Sequence, residues 1–270
     1  MTNFSNRRVW GPIPNYPNVL NYANEEKATD LIIIAGPCSI ESEEQLDKIA
    51  RSLIKARITF IRGGVFRAGT YPPKEFGFNA NLLKIFYRIS KSHGLKNIVE
   101  VINLKDVEYI DRYADAFQVG ARHMQDYALL DLLSQSSKPV TLKRNMGSTL
   151  DEFLGAAEYL ARGRCKPILI ERGSSTYMNH VRWDLSISLI AAVKKMTSIP
   201  IIVDASHGTG RRDIVKPMTL AGISAGADGF LCEVHYDPDN SLSDSEQAYP
   251  LENFCDLCEN SRSIKRFIYK

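Results

Sequence analysis

Cysteine, long apolar runs and an excess of one charge are all scarce in this chain of 270 residues. Its five cysteines (Cys38, Cys165, Cys232, Cys255 and Cys258) are odd in number and lack the dense, regular spacing of a secreted disulfide framework. No segment approaches the ~20 uninterrupted apolar residues of a membrane-spanning helix. The opening residues, MTNFSNRRVWGPIPNYPNV, contain no apolar core of signal-peptide length. Thirty-four Lys and Arg against 31 Asp and Glu leave a net charge of +3, too little to mark a nucleic-acid binder by itself. A local basic pocket for anionic small molecules remains compatible with that balance. No nucleic-acid or membrane partner is therefore expected, and the expected compartment is a reducing cytoplasm.

With 44% hydrophobic and 24% charged residues the composition is that of a globular protein. Residues 1–30, rich in Pro, Asn and Tyr, read as an N-terminal extension with a short strand around Arg8–Trp10, too short for a separate regulatory domain. From Leu31 a rhythm sets in. Short apolar runs occupy 31–35, 58–61, 97–102, 116–119, 139–142, 167–170, 200–203 and 229–234. Amphipathic stretches of helical period lie between and after them, at 43–55, 80–92, 104–112, 126–135, 149–162, 184–196, 213–225 and 250–265. Ser42 and Gln45 have the spacing of a capping box at the first of these. Short strands alternating with helices predict a parallel sheet. Eight such units predict a closed (β/α)8 TIM barrel, a single catalytic domain over 31–270. No glycine-rich dinucleotide fingerprint follows the first run, which weakens the case for an open doubly wound sheet.

In such a barrel the residues at the carboxyl ends of the strands face one opening. The run 201–212 shows the pattern most clearly: Ile201-Ile-Val leads straight into Asp204, Ser206 and His207 and then a glycine turn with two arginines. The strand ends supply Cys38, Arg62, Glu100, Gln118 with Arg122, Lys143 with Arg144, Glu171 with Arg172, Asp204 with His207, and Glu233 with His235. Two chemistries separate. Cys38, His207 and Glu233, with Asp244, offer a thiolate, an imidazole and carboxylates, a donor set for a divalent Zn, Fe, Mn or Co ion. A lone cysteine before a helix is ordinarily a packed residue; it is the joint placement of the four that argues for a metal. Arg62, Arg67, Arg122, Lys143 and Arg172 form a basic cluster suited to a substrate that carries phosphate and carboxylate. Cys255 and Cys258 have half the spacing of a zinc site but no second pair, and read as packing in the terminal helix. Gly208 and Gly210 are too short a motif to define a phosphate loop, and His93 and His180 read as surface or loop residues.

Several blocks carry a resemblance: Gly36-Pro-Cys-Ser-Ile-Glu-Ser42, Arg62-Gly-Gly-Val-Phe66, Gln118-Val-Gly-Ala-Arg-His-Met-Gln125, Leu142-Lys-Arg144, Glu171-Arg-Gly173, Asp204-Ala-Ser-His-Gly-Thr-Gly-Arg-Arg212, Glu233-Val-His235 and Leu242-Ser-Asp244. In that order, over roughly residues 31–255, the chain resembles the 3-deoxy-D-arabino-heptulosonate 7-phosphate (DAHP) synthases, in the branch near the 3-deoxy-D-manno-octulosonate 8-phosphate (KDO8P) synthases. The resemblance implies a cytoplasmic, homotetrameric transferase with a divalent metal. It would condense phosphoenolpyruvate (PEP) with erythrose 4-phosphate at the entry to the shikimate pathway and aromatic amino acids. By motif, Cys38, His207, Glu233 and Asp244 correspond to metal ligands. Arg122, Lys143 and Arg172 correspond to positions that hold PEP, with Arg62 and Glu100 lining its site.

One block departs. DAHP synthases of this type usually carry Lys-Pro-Arg-Thr after the second strand, where this chain has Arg67-Ala-Gly-Thr70. Arg67 keeps a cation on the PEP side and Thr70 keeps the substrate-binding threonine, but Gly69 replaces the arginine that in the family grips the acceptor's phosphate. The Lys-Ala-Asn-Arg of KDO8P synthases is not present either. Lys74, Arg211 and Arg212 stand as replacements for the lost contact. Other readings are a PEP-condensing relative with another aldose acceptor, a Schiff-base aldolase acting through Lys143, and a non-catalytic PEP-binding paralogue.

Overall fold

The computed structural model describes residues 31–67 (Arg67 by its backbone alone) and 77–268. The extension 1–30, with the strand expected at Arg8–Trp10, lies outside the described residues. Eight parallel strands form the barrel wall: β1 (Ile32–Gly36), β2 (Phe60–Gly63), β3 (Lys96–Val101), β4 (Ala116–Val119), β5 (Pro139–Lys143), β6 (Lys166–Glu171), β7 (Ile201–Asp204) and β8 (Gly229–His235). Each pairs with the next, and β8 returns to β1 in parallel register from Ile32↔Gly229 to Gly36↔Glu233, so the sheet closes. The predicted TIM barrel is what forms.

Burial on both faces explains why the strands read as apolar runs rather than alternations. Ile32, Ile34, Phe60, Ile98, Ala116, Ile168, Ile170, Ile202 and Leu231 form one buried cluster, which fills the barrel interior. Residues of opposite parity, such as Ile33, Ala35, Ile61, Val99, Leu169 and Val203, pack outward with the helices in a second, larger cluster.

The helices are α1 (Glu43–Lys55), α2 (Ala80–Ser92), α3 (Val107–Asp111), α4 (Tyr127–Ser134), α5 (Leu150–Ala161), α6 (Ile187–Met196), α7 (Val215–Ser224) and α8 (Phe254–Ile268). Side-chain caps fix several starts: Ser42, Asn79, Asp126 and Thr149 each accept a backbone N–H of the first turn. At α1 only half of the expected capping box forms. The Ser42 hydroxyl accepts from Gln45 N, but the Gln45 amide reaches past Ser42 to accept from Glu41 N at 3.0 Å and to donate to Ser39 O at 3.3 Å. The helix expected over 104–112 is a 3-10 turn, Leu104–Asp106, running into the five-residue α3. The terminal helix starts at Phe254 because Tyr249–Pro250 pairs in parallel with the end of β8 and a 3-10 turn follows.

Two small elements were not legible in the pattern. Phe66–Arg67 pairs antiparallel with Gly77–Phe78 above the barrel mouth, and Ala205–Thr209 forms a helical turn directly after β7. The five cysteines are free thiols. Cys258 is packed in the core, its thiol pushed up to about 12 by burial, which agrees with packing as its role. No helix among the described residues is long and apolar enough to cross a membrane.

Candidate active site

The period of two along each strand selects what enters the mouth. Phe60, Ile98, Ala116, Ile170, Ile202 and Leu231 fill the interior, and two residues further along each strand stand Arg62, Glu100, Gln118, Arg172, Asp204 and Glu233. A polar layer thus sits directly on the apolar plug. Residues one step off, Arg144 and Glu171, point to the outer side, where they form a buried ion pair instead.

At the end of β7, Asp204 caps the helical turn that carries His207, its Oδ1 accepting the His207 backbone N–H at 3.0 Å. The same carboxylate lies 2.9 Å from His207 Nδ1 and 3.0 Å from Lys143 Nζ. Burial pushes the Asp204 carboxyl up, but the His207 ring and the Lys143 ammonium outweigh it and hold the carboxyl well below the usual range. Burial, with help from the Lys143 and Arg62 cations, outweighs Asp204 at His207 and lowers the imidazole to about 4. His207 is therefore neutral at pH 7. Asp204 lies 2.9 Å from Nδ1, closer than the Lys143 ammonium at 3.4 Å there or Glu233 at 3.3 Å from Nε2, which favours the tautomer with the proton on Nδ1 and the lone pair on Nε2.

Nε2 lies 3.3 Å from Glu233 Oε2. The donor atoms of Cys38, His207 and Glu233 all lie within 4.8 Å of one another, a group able to hold a metal ion. Glu233 Oε2 accepts from Gln247 Nε2 at 2.6 Å, while its buried Oε1 has no hydrogen-bond partner among the described residues. Burial pushes the Glu233 carboxyl up to about 8, and burial with the neighbouring Glu233 raises the Cys38 thiol well above its ordinary value. Asp244 stands outside the three-residue group but touches it: Cys38 Sγ donates to Asp244 Oδ2 at 3.1 Å, and Arg182 Nη1 donates to Oδ1 at 3.2 Å. Asp244 has φ +50°, a left-handed conformation that Asp tolerates better than most residues. Its loop is clasped to the segment after β1: Ser243 Oγ donates to Ser39 Oγ at 3.1 Å, and Leu242 N donates to Glu41 Oε1 at 2.8 Å.

The basic side is less evenly assembled. Arg62 is buried beneath Cys38, its Nη1 donating to Pro37 O at 2.6 Å. Arg172 is 7% exposed, and its Nε and Nη1 have no hydrogen-bond partner among the described residues. Burial, opposed by Asp204 and assisted by Arg182, lowers Arg172 to about 10, so it stays a cation at pH 7. Arg122 is exposed at the rim, on a 3-10 turn after β4, near enough to Arg172 to repel it. Glu100 is half-buried on β3, and a Cβ at Gly120 would lie 2.2 Å from its Oε1, so the glycine makes room for the carboxylate. The Arg67 side chain, Gly69, Thr70 and Lys74 lie outside the described residues. Beside Asp244 a cavity of about 570 Å³ is lined by His180, Arg182, Arg211, Glu246 and Gln247, among others. Arg211 is paired with Asp213 and Arg212 with Asp239.

Several residues of the site carry no signal of their own in the sequence. Gln247 and Arg182 sit on long loops, where no periodicity points at them. Asp204 was visible at a strand end, and only the parity of β7 gives it a place beside His207.

Comparison with known proteins gives the family and the fold. The model of the DAHP synthetase I family matches residues 23–266. The phospho-2-dehydro-3-deoxyheptonate aldolase of Thermotoga maritima is 37% identical over 233 residues, covering 86% of this chain and 69% of that protein. A 2-dehydro-3-deoxyphosphooctonate aldolase of Syntrophotalea carbinolica is 28% identical over 239 residues, covering 82% of this chain and 85% of that protein. The crystal structure of the Thermotoga maritima DAHP synthase superposes with a TM-score of 0.83 at 36% identity, covering 88% of this chain and 70% of that one. The matched region takes in every strand of the barrel and the Cys38, His207 and Glu233 group, and the chain belongs to the DAHP synthetase I family of enzymes.

Proposed function

We propose that this enzyme condenses PEP with an aldose phosphate, erythrose 4-phosphate foremost, and with water, to give DAHP and inorganic phosphate. The observation that carries the reading is one barrel mouth holding both a metal-type donor cluster and a desolvated guanidinium with unpaired N–H groups. In the reaction a carbon–carbon bond forms between PEP C3 and the acceptor's aldehyde carbon. Water supplies the oxygen at C2 and the proton for the new alkoxide, and the C2–O bond to phosphate breaks.

Arg172, with Arg122 at the rim and Lys143 and Arg62 within, offers cations for the phosphate and carboxylate of PEP. Glu100 lines the same side, and Arg67 and Thr70 are assigned to it by motif. Cys38, His207, Glu233 and Asp244 would hold a divalent Mn, Fe, Zn or Co ion. The residues suit such an ion: the His207 ring is neutral with Nδ1 turned to Asp204, and the buried Glu233 Oε1 lacks a partner. When bound, that ion polarises and orients the acceptor carbonyl. Asp204 fixes the tautomer of His207 and pairs with Lys143, so that one carboxylate aligns a metal-side group and a PEP-side group.

A second reading keeps PEP and changes the acceptor. Gly69 stands where the resemblance leads one to expect the arginine of the acceptor's phosphate, and octonate-forming relatives are also similar to the chain. A Schiff-base aldolase fits less well, because the Lys143 ammonium is already engaged by Asp204. Phosphate release from PEP with a panel of aldose phosphates, with and without EDTA, tests these. Turnover with erythrose 4-phosphate that EDTA abolishes is expected. Turnover with arabinose 5-phosphate alone would select the second reading. EDTA-resistant turnover with a borohydride-trapped adduct would replace the metal assignment. PEP binding without any turnover would mark a non-catalytic paralogue.

A further inference from the structure

The Arg172 guanidinium, buried and short of hydrogen-bond partners, is not loose: its Cζ lies 5.5 Å from the centroid of the Trp183 ring. Trp183 comes from the long connection between β6 and α6, and that connection is fastened to the barrel mouth. Ser174 bridges to Asp184, Arg182 N donates to Thr209 O at 2.8 Å, and Trp183 N donates to Gly208 O at 3.0 Å. The backbone beneath the tryptophan is built to let it in. Gly173 has φ +91°, and a Cβ there would lie 2.6 Å from Trp183 Cβ and 3.2 Å from Gly208 Cα. Two glycines and two backbone hydrogen bonds thus seat a large aromatic ring against one arginine. The indole Nε1 is itself buried without an acceptor among the described residues.

We infer that Trp183 is a positioning residue of the anion site: its ring face holds the Arg172 guanidinium where the phosphate or carboxylate of PEP meets it. The physical basis is the attraction of a cation to an aromatic face, strongest for tryptophan and strengthened by desolvation. A guanidinium held over a ring face keeps N–H groups available to an anion on its other side. Removing the ring leaves Arg172 charged but free to tilt, so the anion must then bear the cost of ordering it. The inference rests on PEP being the substrate, and the experiment separates the two.

The sequence has two tryptophans, Trp10 and Trp183, so Trp10→Phe leaves Trp183 as the sole indole reporter. PEP titrated into that variant should change its emission saturably, with the same Kd that calorimetry gives. Trp183→Leu should raise both the Kd and the KM for PEP about tenfold, with kcat and the KM for the acceptor within about twofold. Trp183→Phe, which keeps an aromatic face, should recover most of that loss. Trp183→Leu protein with a native circular dichroism spectrum and wild-type PEP affinity would overturn the inference while leaving PEP as substrate. If Trp183→Leu does not fold, an emission that stays flat in Trp10→Phe at PEP concentrations calorimetry shows to be saturating overturns it equally. Absence of any PEP binding by the wild type would remove the substrate reading and this inference with it.

Discussion

Lys143 and Arg144 are neighbours in the chain, both buried and both paired with a carboxylate, yet their surroundings differ in kind. Arg144 meets Glu171 through two of its nitrogens and also donates to Ser148 O at 3.1 Å. Glu171 Oε1 further accepts the N–H groups of Gly173 at 3.0 Å and Ser186 at 3.1 Å. That pair is saturated and lies on the outer side of the sheet, where it ties β5, β6 and the approach to α6 together. Lys143 faces inward, and its partner Asp204 divides itself among the lysine, a histidine ring and a helix N-terminus. The saturated pair has nothing left to offer a ligand. The shared one stands among groups with unused donors and acceptors: Arg172, Glu233 and Gln118. One residue of pleat is the whole difference between a structural cation and a chemical one.

Substitutions can break that contrast, and the largest effect should fall on the structural pair. Arg144→Met strands the Glu171 carboxylate in a buried site, and urea unfolding should show a loss of about 3–5 kcal/mol. A loss below 1 kcal/mol would mean the two pairs are alike. Lys143→Met should lower kcat/KM about 10²–10³-fold, the range seen when a preorganised electrostatic group is removed. Its unfolding free energy should move much less than that of Arg144→Met, since loss of the Lys143 cation lets the His207 ring beside Asp204 take up a proton, whereas Glu171 keeps only neutral N–H groups. Asp204→Asn releases the orientation of the His207 ring, and competition with a chelator should show metal affinity about 10–100-fold weaker. The smallest effect should come from Arg144→Met combined with Glu171→Met. Replacing a whole buried pair by apolar side chains removes the stranded charge, so the double variant should recover most of the stability lost in the single one.

Much of this is legible in the sequence, for reasons particular residues make plain. Strands buried on both faces show as uninterrupted runs such as Ile32-Ile-Ile, and the first helix starts after the Ser42 cap that the Ser42–Gln45 spacing marks. Polar residues that end an apolar strand are conspicuous, which is how Arg62, Lys143, Arg172 and Glu233 were found. The division between Lys143 and Arg144 required the strand's parity relative to the interior plug, and that depends on the register of all eight strands. Gln247, Arg182 and Trp183 lie on connections with no period, positioned by hydrogen bonds such as Trp183 to Gly208, Arg182 to Thr209 and Arg182 to Gln247, and nothing local announces them.

The clasp between the segments 38–41 and 241–244 has a consequence for folding as well as for chemistry. Cys38 and Asp244 are 206 residues apart in sequence and meet at the seam where β8 returns to β1. The donor cluster therefore cannot exist until the last strand has found the first, a pairing of high sequence separation and so intrinsically slow. A nascent or partly folded chain carries the same ligands but cannot bring them together. An ion bound across the seam would join the first and last units of the barrel, stabilising the closed ring in proportion to its preference for that ring over the open chain.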